Sequence, residues 1–188
     1  MKYFKKLVGE NIYLSPLNVE DAEIFTEWLN DFEITDYIGR SGEITTLESE
    51  KEYLNKFLNT DARFCIVTLE ENKMIGTISL EQINTISRRA TLGIFIGNKE
   101  YRNKGYGSEA IELILDYGFN YMNLNNIYLQ LIECNDRAKR CYEKCGFKEF
   151  GRRRKCEYVN GKYYDRICMD ILADEYLDRN YIKNKNVK

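Results

Sequence analysis

The chain has no histidine among its 188 residues. Imidazole is the usual proton acceptor near neutral pH and the commonest metal ligand, so Ser-His-Asp and Cys-His triads, histidine-bound zinc and two-histidine iron are excluded. Proline is almost as scarce, with Pro16 alone, and no Gly/Ser-rich stretch, repeat or low-complexity tract marks a linker. A single domain over residues 1–188 is expected, its ordered core at about 11–172. The six cysteines (Cys65, Cys134, Cys141, Cys145, Cys156, Cys168) contain no Cys-x-x-Cys pair and read as free thiols, with no metal site. Met1 to Leu7 holds no apolar run long enough for a signal peptide or membrane span, so a cytoplasmic protein without a membrane partner is expected. Net charge is lacking too. Twenty-eight Lys+Arg against thirty Asp+Glu leave −2, which gives no basic field to draw the chain onto nucleic acid.

What is present is a core and a clear order of elements. Hydrophobic residues make up 44% of the chain, enough to fold without staples. Asn11 to Leu17 reads as a strand, and Asn18 then caps a helix carrying Ala22, Phe25 and Leu29 at helical spacing. A second helical stretch, about Thr46 to Leu58, follows a polar loop around Gly39 to Gly42. Arg63 to Leu69, Met74 to Leu80 and Ala90 to Gly97 are β-branched or aromatic runs parted by turn signals, as in three consecutive antiparallel strands. The period then switches, with Ile111, Ile114, Leu115, Gly118 and Met122 on one helical face. Asn126 to Cys134 is a strand, Asp136 to Cys145 a helix ended by Gly146, and Asn160-Gly161 joins a last hairpin, Phe147 to Val159 with Lys162 to Leu172. The charged, Asn-rich tail Ala173 to Lys188 is expected to fray. The result is an α+β fold, a mixed and mostly antiparallel sheet flanked by helices in the order β-α-α-β-β-β-α-β-α-β-β.

Chemistry concentrates where the third central strand meets the long helix, at Tyr101-Arg102-Asn103-Lys104-Gly105-Tyr106-Gly107-Ser108. Glycines let the backbone approach a ligand closely, and the unpaired N–H groups of a helix's first turn favour an anion. A turn that needs Gly105 and Gly107 for its own shape is the plainer explanation. The flanks exclude a nucleotide P-loop and a dinucleotide fold: Gly107 is followed by Ser108-Glu109, and the glycines do not follow the first strand of a parallel unit.

Ala90 to Gly97, then Arg102-x-x-Gly105-x-Gly107, then Asn135-Asp136-Arg137-Ala138 with Cys141-Tyr142-Glu143-Lys144-Cys145-Gly146-Phe147, resemble the GNAT superfamily of acetyl-CoA-dependent N-acetyltransferases. The nearest branch in pattern includes ribosomal-protein N-acetyltransferases and spermidine acetyltransferase. The resemblance implies acetyl-CoA as co-substrate, its pyrophosphate held by Arg102, Asn103, Lys104, Gly105, Tyr106, Gly107 and Ser108. It implies a pantetheine arm paired with the backbone of Phe95 and Ile96, and a splayed strand at Asn126 to Cys134. Asn135 then hydrogen-bonds the arm and Tyr142 protonates the leaving thiolate; from the residues alone, Asn135 is also a plain N-cap and Tyr142 a plain core aromatic. Such folds commonly pair through a hairpin or sheet edge, which admits a homodimer.

The implied reaction is direct attack of a neutral amine, from a small molecule or a peptide, on the thioester through a tetrahedral intermediate. An α-amine of pKa about 8 is roughly a tenth neutral at pH 7 and an alkylamine near 10.4 only about 0.04%, so a polyamine needs a proton acceptor more than a protein N-terminus does. The positions where relatives carry acids hold Thr91 and Gln130 here. Glu81 and Glu133 are the remaining carboxylate candidates, beside a water relay. A non-catalytic acetyl-CoA sensor is the alternative from another class. Arg152 to Lys155 reads as a solvated basic face, and Trp28, Phe32 and Tyr37 either wall the acceptor pocket or pack the first helix on the sheet.

Overall fold

The computed structural model describes residues 2–58 and 62–177. Its strands are β1 (Leu7–Val8), β2 (Ile12–Pro16), β3 (Ala62–Thr68), β4 (Met74–Asn84), β5 (Arg89–Ile96), β6 (Asn126–Ile132), β7 (Lys148–Val159) and β8 (Lys162–Leu172). The helices are α1 (Ala22–Leu29), α2 (Phe32–Ile38), α3 (Leu47–Phe57), α4 (Tyr106–Asp116), extended by a π turn over Tyr117–Tyr121, and α5 (Asp136–Lys144). All eight strands lie in one sheet, ordered β1-β2-β3-β4-β5-β6-β8-β7. Every pairing is antiparallel except β5 with β6.

Two elements go beyond the order expected from the sequence. β1 is two residues long and pairs with β2 at Leu7↔Leu14 and Val8↔Tyr13. α2 has seven residues and lies where the sequence suggested the approach to a loop. Asp31 caps it by accepting from the Glu33 amide, and Gly39 ends it in the left-handed conformation at φ 73°. Of the tail expected to fray, Ala173 to Leu177 turns helical and 178–188 lie outside the described residues.

The period-two alternation of the strands sorts the core into two layers. Ile12 and Leu14 on β2, Phe64 and Ile66 on β3, and Ile78 and Leu80 on β4 face α4 and α5. Tyr13, Cys65 and Val67 point the other way, onto Phe25 and Trp28 of α1, Ile34 of α2 and Leu54 of α3. The sheet is therefore covered on both faces.

The one parallel pairing breaks off early. β5 and β6 meet only at Arg89↔Asn126, Ala90↔Ile127 and Thr91↔Tyr128. Beyond Thr91, β5 continues along β4 as far as Ile96, while β6 continues along β8 as far as Ile132. The two strands diverge with nothing between them, as the resemblance implied.

Candidate active site

The divergence opens a cleft of about 570 Å³ that passes through the sheet. Consecutive residues Leu92 to Ile96 line one side and Gln130 and Leu131 the other, so both faces of each strand contribute. The cleft borders on α2 at Glu33 and Tyr37, and on α5 at Asn135 and Tyr142.

Backbone alternation settles which groups of β5 face the opening. The Gly97 amide donates to the Ile75 carbonyl at 3.0 Å, and in an antiparallel ladder residues two apart face the same way. Gly93 and Phe95 thus direct their N–H and C=O to β4, and Ile94 and Ile96 direct theirs into the gap. Phe95 lines the cleft but its amide belongs to the sheet, so the pairing expected of Phe95 shifts to Ile94. The Ile96 carbonyl is already engaged.

Its partner is Arg102. The guanidinium folds back, Nε donating to the Ile96 carbonyl and Nη2 to the Gly97 carbonyl, both at 3.1 Å. Burial pulls its pKa below the ordinary arginine value, yet a guanidinium stays charged at any working pH. Arg102 is therefore a clamp between β5 and the turn rather than a free cation. Asn103, Gly105, Gly107 and Ser108 line the cleft. The side chains of Lys104 and Tyr106 do not: the Lys104 ammonium stands 5.7 Å above the Tyr101 ring, and the Tyr106 ring lies 5.8 Å from it.

Gly105 opens α4 at φ 89°. A side chain in that conformation is strained, and Gly removes the penalty. α4 has no side-chain cap, so the N–H groups of its first turn are left for a ligand.

The charge that the turn does not supply comes from α5. Arg137, Arg140 and Lys144, spaced i, i+3 and i+7, all line the cleft and none has an ion-pair partner among the described residues. Sequence reasoning passed over them, although their spacing on one helical face is a readable signal.

Asn135 caps α5 by accepting from the Ala138 amide at 3.1 Å, while its Nδ2 donor has no hydrogen bond among the described residues. Tyr142 is 9% exposed, stacks edge-on against Phe147 at 6.0 Å, and lines the cleft. Its hydroxyl makes no hydrogen bond among the described residues. Burial pushes its pKa above the ordinary phenol value, so it stays protonated.

Glu81 and Glu133 lie apart from the cleft. Glu133 pairs with Arg152 at 2.9 Å. Glu81 pairs with Arg63 at 2.7 Å and accepts from Ser79 at 2.7 Å. At the two positions where acids were missing, Gln130 accepts from Arg166 at 3.2 Å and Thr91 meets Gln82 at 3.4 Å.

Cys141, read as a free thiol, also lines the cleft. Its sulfur is 3.2 Å from Ser108 Oγ. A hydrogen bond from Cys145, another from Ser108, and the Lys144 and Arg137 charges outweigh burial and lower the thiol to about 6. Burial pushes Cys65 the other way. At pH 7, iodoacetamide is expected to label Cys141 well before Cys65, with a rate that falls as pH drops through about 6, because the thiolate is the nucleophile. Peptide mass spectrometry after timed quenching reads this directly, and a ligand filling the cleft should slow it.

Comparison with known proteins agrees with this geometry. Residues 11–148 match the Acetyltransferase (GNAT) domain family. The chain belongs to the GNAT acetyltransferases. It is 37% identical to a spermidine N(1)-acetyltransferase of Vibrio cholerae over 131 residues, which cover 69% of this chain and 75% of that protein. A putative ribosomal N-acetyltransferase of Bacillus subtilis is 30% identical over 108 residues, 57% of this chain and 58% of that one. The crystal structure of spermidine N-acetyltransferase from Vibrio cholerae in complex with CoA and spermine superposes with a TM-score of 0.81 at 32% identity, covering 88% of this chain and 98% of that one. The chain is an acetyltransferase, and the sensor alternative gives way to that. No helix among the described residues is long and apolar enough to cross a membrane.

Proposed function

We propose that this GNAT enzyme transfers the acetyl group of acetyl-CoA to a primary amine of a polyamine. The carrying observation is the gap between β5 and β6, which leaves the Ile94 amide, the Asn135 Nδ2 donor and the Tyr142 hydroxyl without partners among the described residues around one cleft. Unpaired donors in a buried site are costly unless a ligand meets them. The pantetheine arm fits the open edge of β5, and the phosphates fit the first turn of α4 with Arg137, Arg140 and Lys144 around them.

The amine attacks the thioester carbonyl. A C–N bond forms, the carbonyl oxygen takes negative charge opposite backbone donors, and the C–S bond then breaks. Tyr142 supplies the proton that the departing thiolate takes up, and the ammonium formed in the attack returns one.

The acceptor side differs in charge from the rest. From Glu20 to Glu52 there are eleven carboxylates against two cations, Arg40 and Lys51. Elsewhere cations are in excess, so the chain pairs a basic part with an acidic cover over α1 to α3. An acidic cover steers a polycation, and the relatives named for spermidine share the fold.

Release of free thiol from acetyl-CoA, measured against spermidine, spermine, N-terminal peptides, amino sugars and aminoglycosides, tests this. Turnover greatest on the polyamines is expected. Turnover on N-terminal peptides alone would replace the acceptor class, and thiol release on none of the amines would overturn the reading.

A further inference from the structure

A second cavity, of about 300 Å³, lies between the sheet and helices α1 and α3. It shares Ile38, Gly93, Ile94 and Phe95 with the cleft, so the two meet at the middle of β5. Gly93 keeps the junction open. A Cβ there would stand 3.1 Å from Ser79 Oγ and 3.5 Å from Glu81 Oε1, in the cavity itself.

Two carboxylates line this chamber, and they differ in their partners. Glu81 has its own guanidinium, that of Arg63, and a hydroxyl donor. An anion already neutralised in this way holds a second cation less strongly. Glu50, on the first turns of α3, is 4% exposed and has neither a hydrogen bond nor an ion pair among the described residues. Arg40, the cation whose field it feels, is bound to Glu43 at 2.6 Å. The other charged or titratable groups lining the cavity are Tyr53, Arg63 and Glu81.

A carboxylate near a helix N-terminus is favourable, but an exposed one serves that purpose equally well. Burying an anion without a partner is costly. The cost is explained if a cation arrives.

We infer that Glu50, lining the second cavity that meets the cleft at the middle of β5, receives the acceptor's ammonium and takes its proton, the role for which Thr91 and Gln130 leave no acid. This rests on the amine acetyltransferase reading. In the step, the N–H bond breaks, the proton passes to Glu50 to give a neutral acid, and the nitrogen lone pair attacks the thioester. Glu50 afterwards releases the proton to solvent. Burial pushes the Glu50 carboxyl above the usual range, against the opposing Arg40 charge, which suits a proton acceptor working near neutrality.

The test compares wild type with Glu50→Gln on spermidine, or on the panel amine that wild type does acetylate, from pH 6.5 to 9.5, roughly the span between a carboxylate's and an alkylamine's pKa. At pH 7, kcat/KM is expected to fall by about 100-fold or more, with acetyl-CoA affinity unchanged and the melting temperature no lower, since Gln removes a buried charge. The deficit should shrink by about tenfold per pH unit as the amine loses its proton unaided. A fall below about threefold, or one constant across pH, overturns the inference while leaving the enzyme's function intact. Wild-type silence on every amine overturns the function and this inference together. Glu50→Ala with and without formate is the second variant: restored turnover supports the assignment, and no restoration in a folded protein counts against it.

Discussion

Replacing Tyr142 with phenylalanine is expected to lower kcat by about 10² to 10⁴, the usual worth of a positioned proton donor, and to leave the fold and acetyl-CoA affinity nearly untouched. The hydroxyl has no hydrogen-bond partner among the described residues, so its removal orphans nothing in the protein. The ring's edge-on contact with Phe147 does not involve the oxygen, and phenylalanine keeps it. A stability change within about 0.5 kcal/mol is therefore expected. Single-turnover acetyl transfer, beside calorimetric binding of acetyl-CoA, separates the two effects. Loss of binding and turnover in equal measure would make Tyr142 a packing residue. The pH profile adds a second check. Burial raises the phenol above its ordinary value of 10.0, so the proton donor is present across the whole range below that. Any alkaline fall of wild-type activity below pH 10 must then come from another group.

Much of this site was legible in the chain because it is built from local signals. Gly105 and Gly107 at a helix start, Asn135 opening α5 and Tyr142 seven residues on each lie within one turn or one helix, where sequence spacing is spatial spacing. The order of strands followed from alternation and from turns. α2 was readable too, through Asp31 and Gly39, but its seven residues give too few apolar repeats to reveal a face. β1, with two residues, gives none.

What the chain order concealed was anything fixed by distant packing. Glu50 stands among Glu48, Lys51 and Glu52, a pattern indistinguishable from a solvated helix face. It is buried only because α3 packs against α1 and across β3, which no periodicity within α3 encodes. Arg102 reads as a phosphate ligand until its reach to the Ile96 and Gly97 carbonyls is seen. Phe95 and Ile94 exchange roles through the ladder's phase, and a shift of one residue reverses which backbone groups are free.

Gly107 separates the demands of folding from those of the ligand, and its substitution is expected to move them in opposite directions. It sits in the first turn of α4, in ordinary helical conformation, and a Cβ there would find within 4 Å only the Ile96 side chain, at 4.0 Å. Nothing among the described residues resists it. Alanine gains up to about 1 kcal/mol over glycine inside a helix, so Gly107→Ala should raise the melting temperature. The same methyl group occupies the cleft that Gly107 lines, where a ligand must approach the backbone N–H groups closely. Valine, with a fuller side chain, should weaken acetyl-CoA binding further, by about 100-fold or more, corresponding to about 2.7 kcal/mol. Gly105→Ala is the contrast, since at φ 89° it strains the turn itself and should lose stability by about 1 kcal/mol or more. Thermal melts of the three variants beside acetyl-CoA titrations decide the matter. If Gly107→Val binds acetyl-CoA as wild type does, the phosphates do not lie against this turn, and the cations of α5 would have to hold them without it.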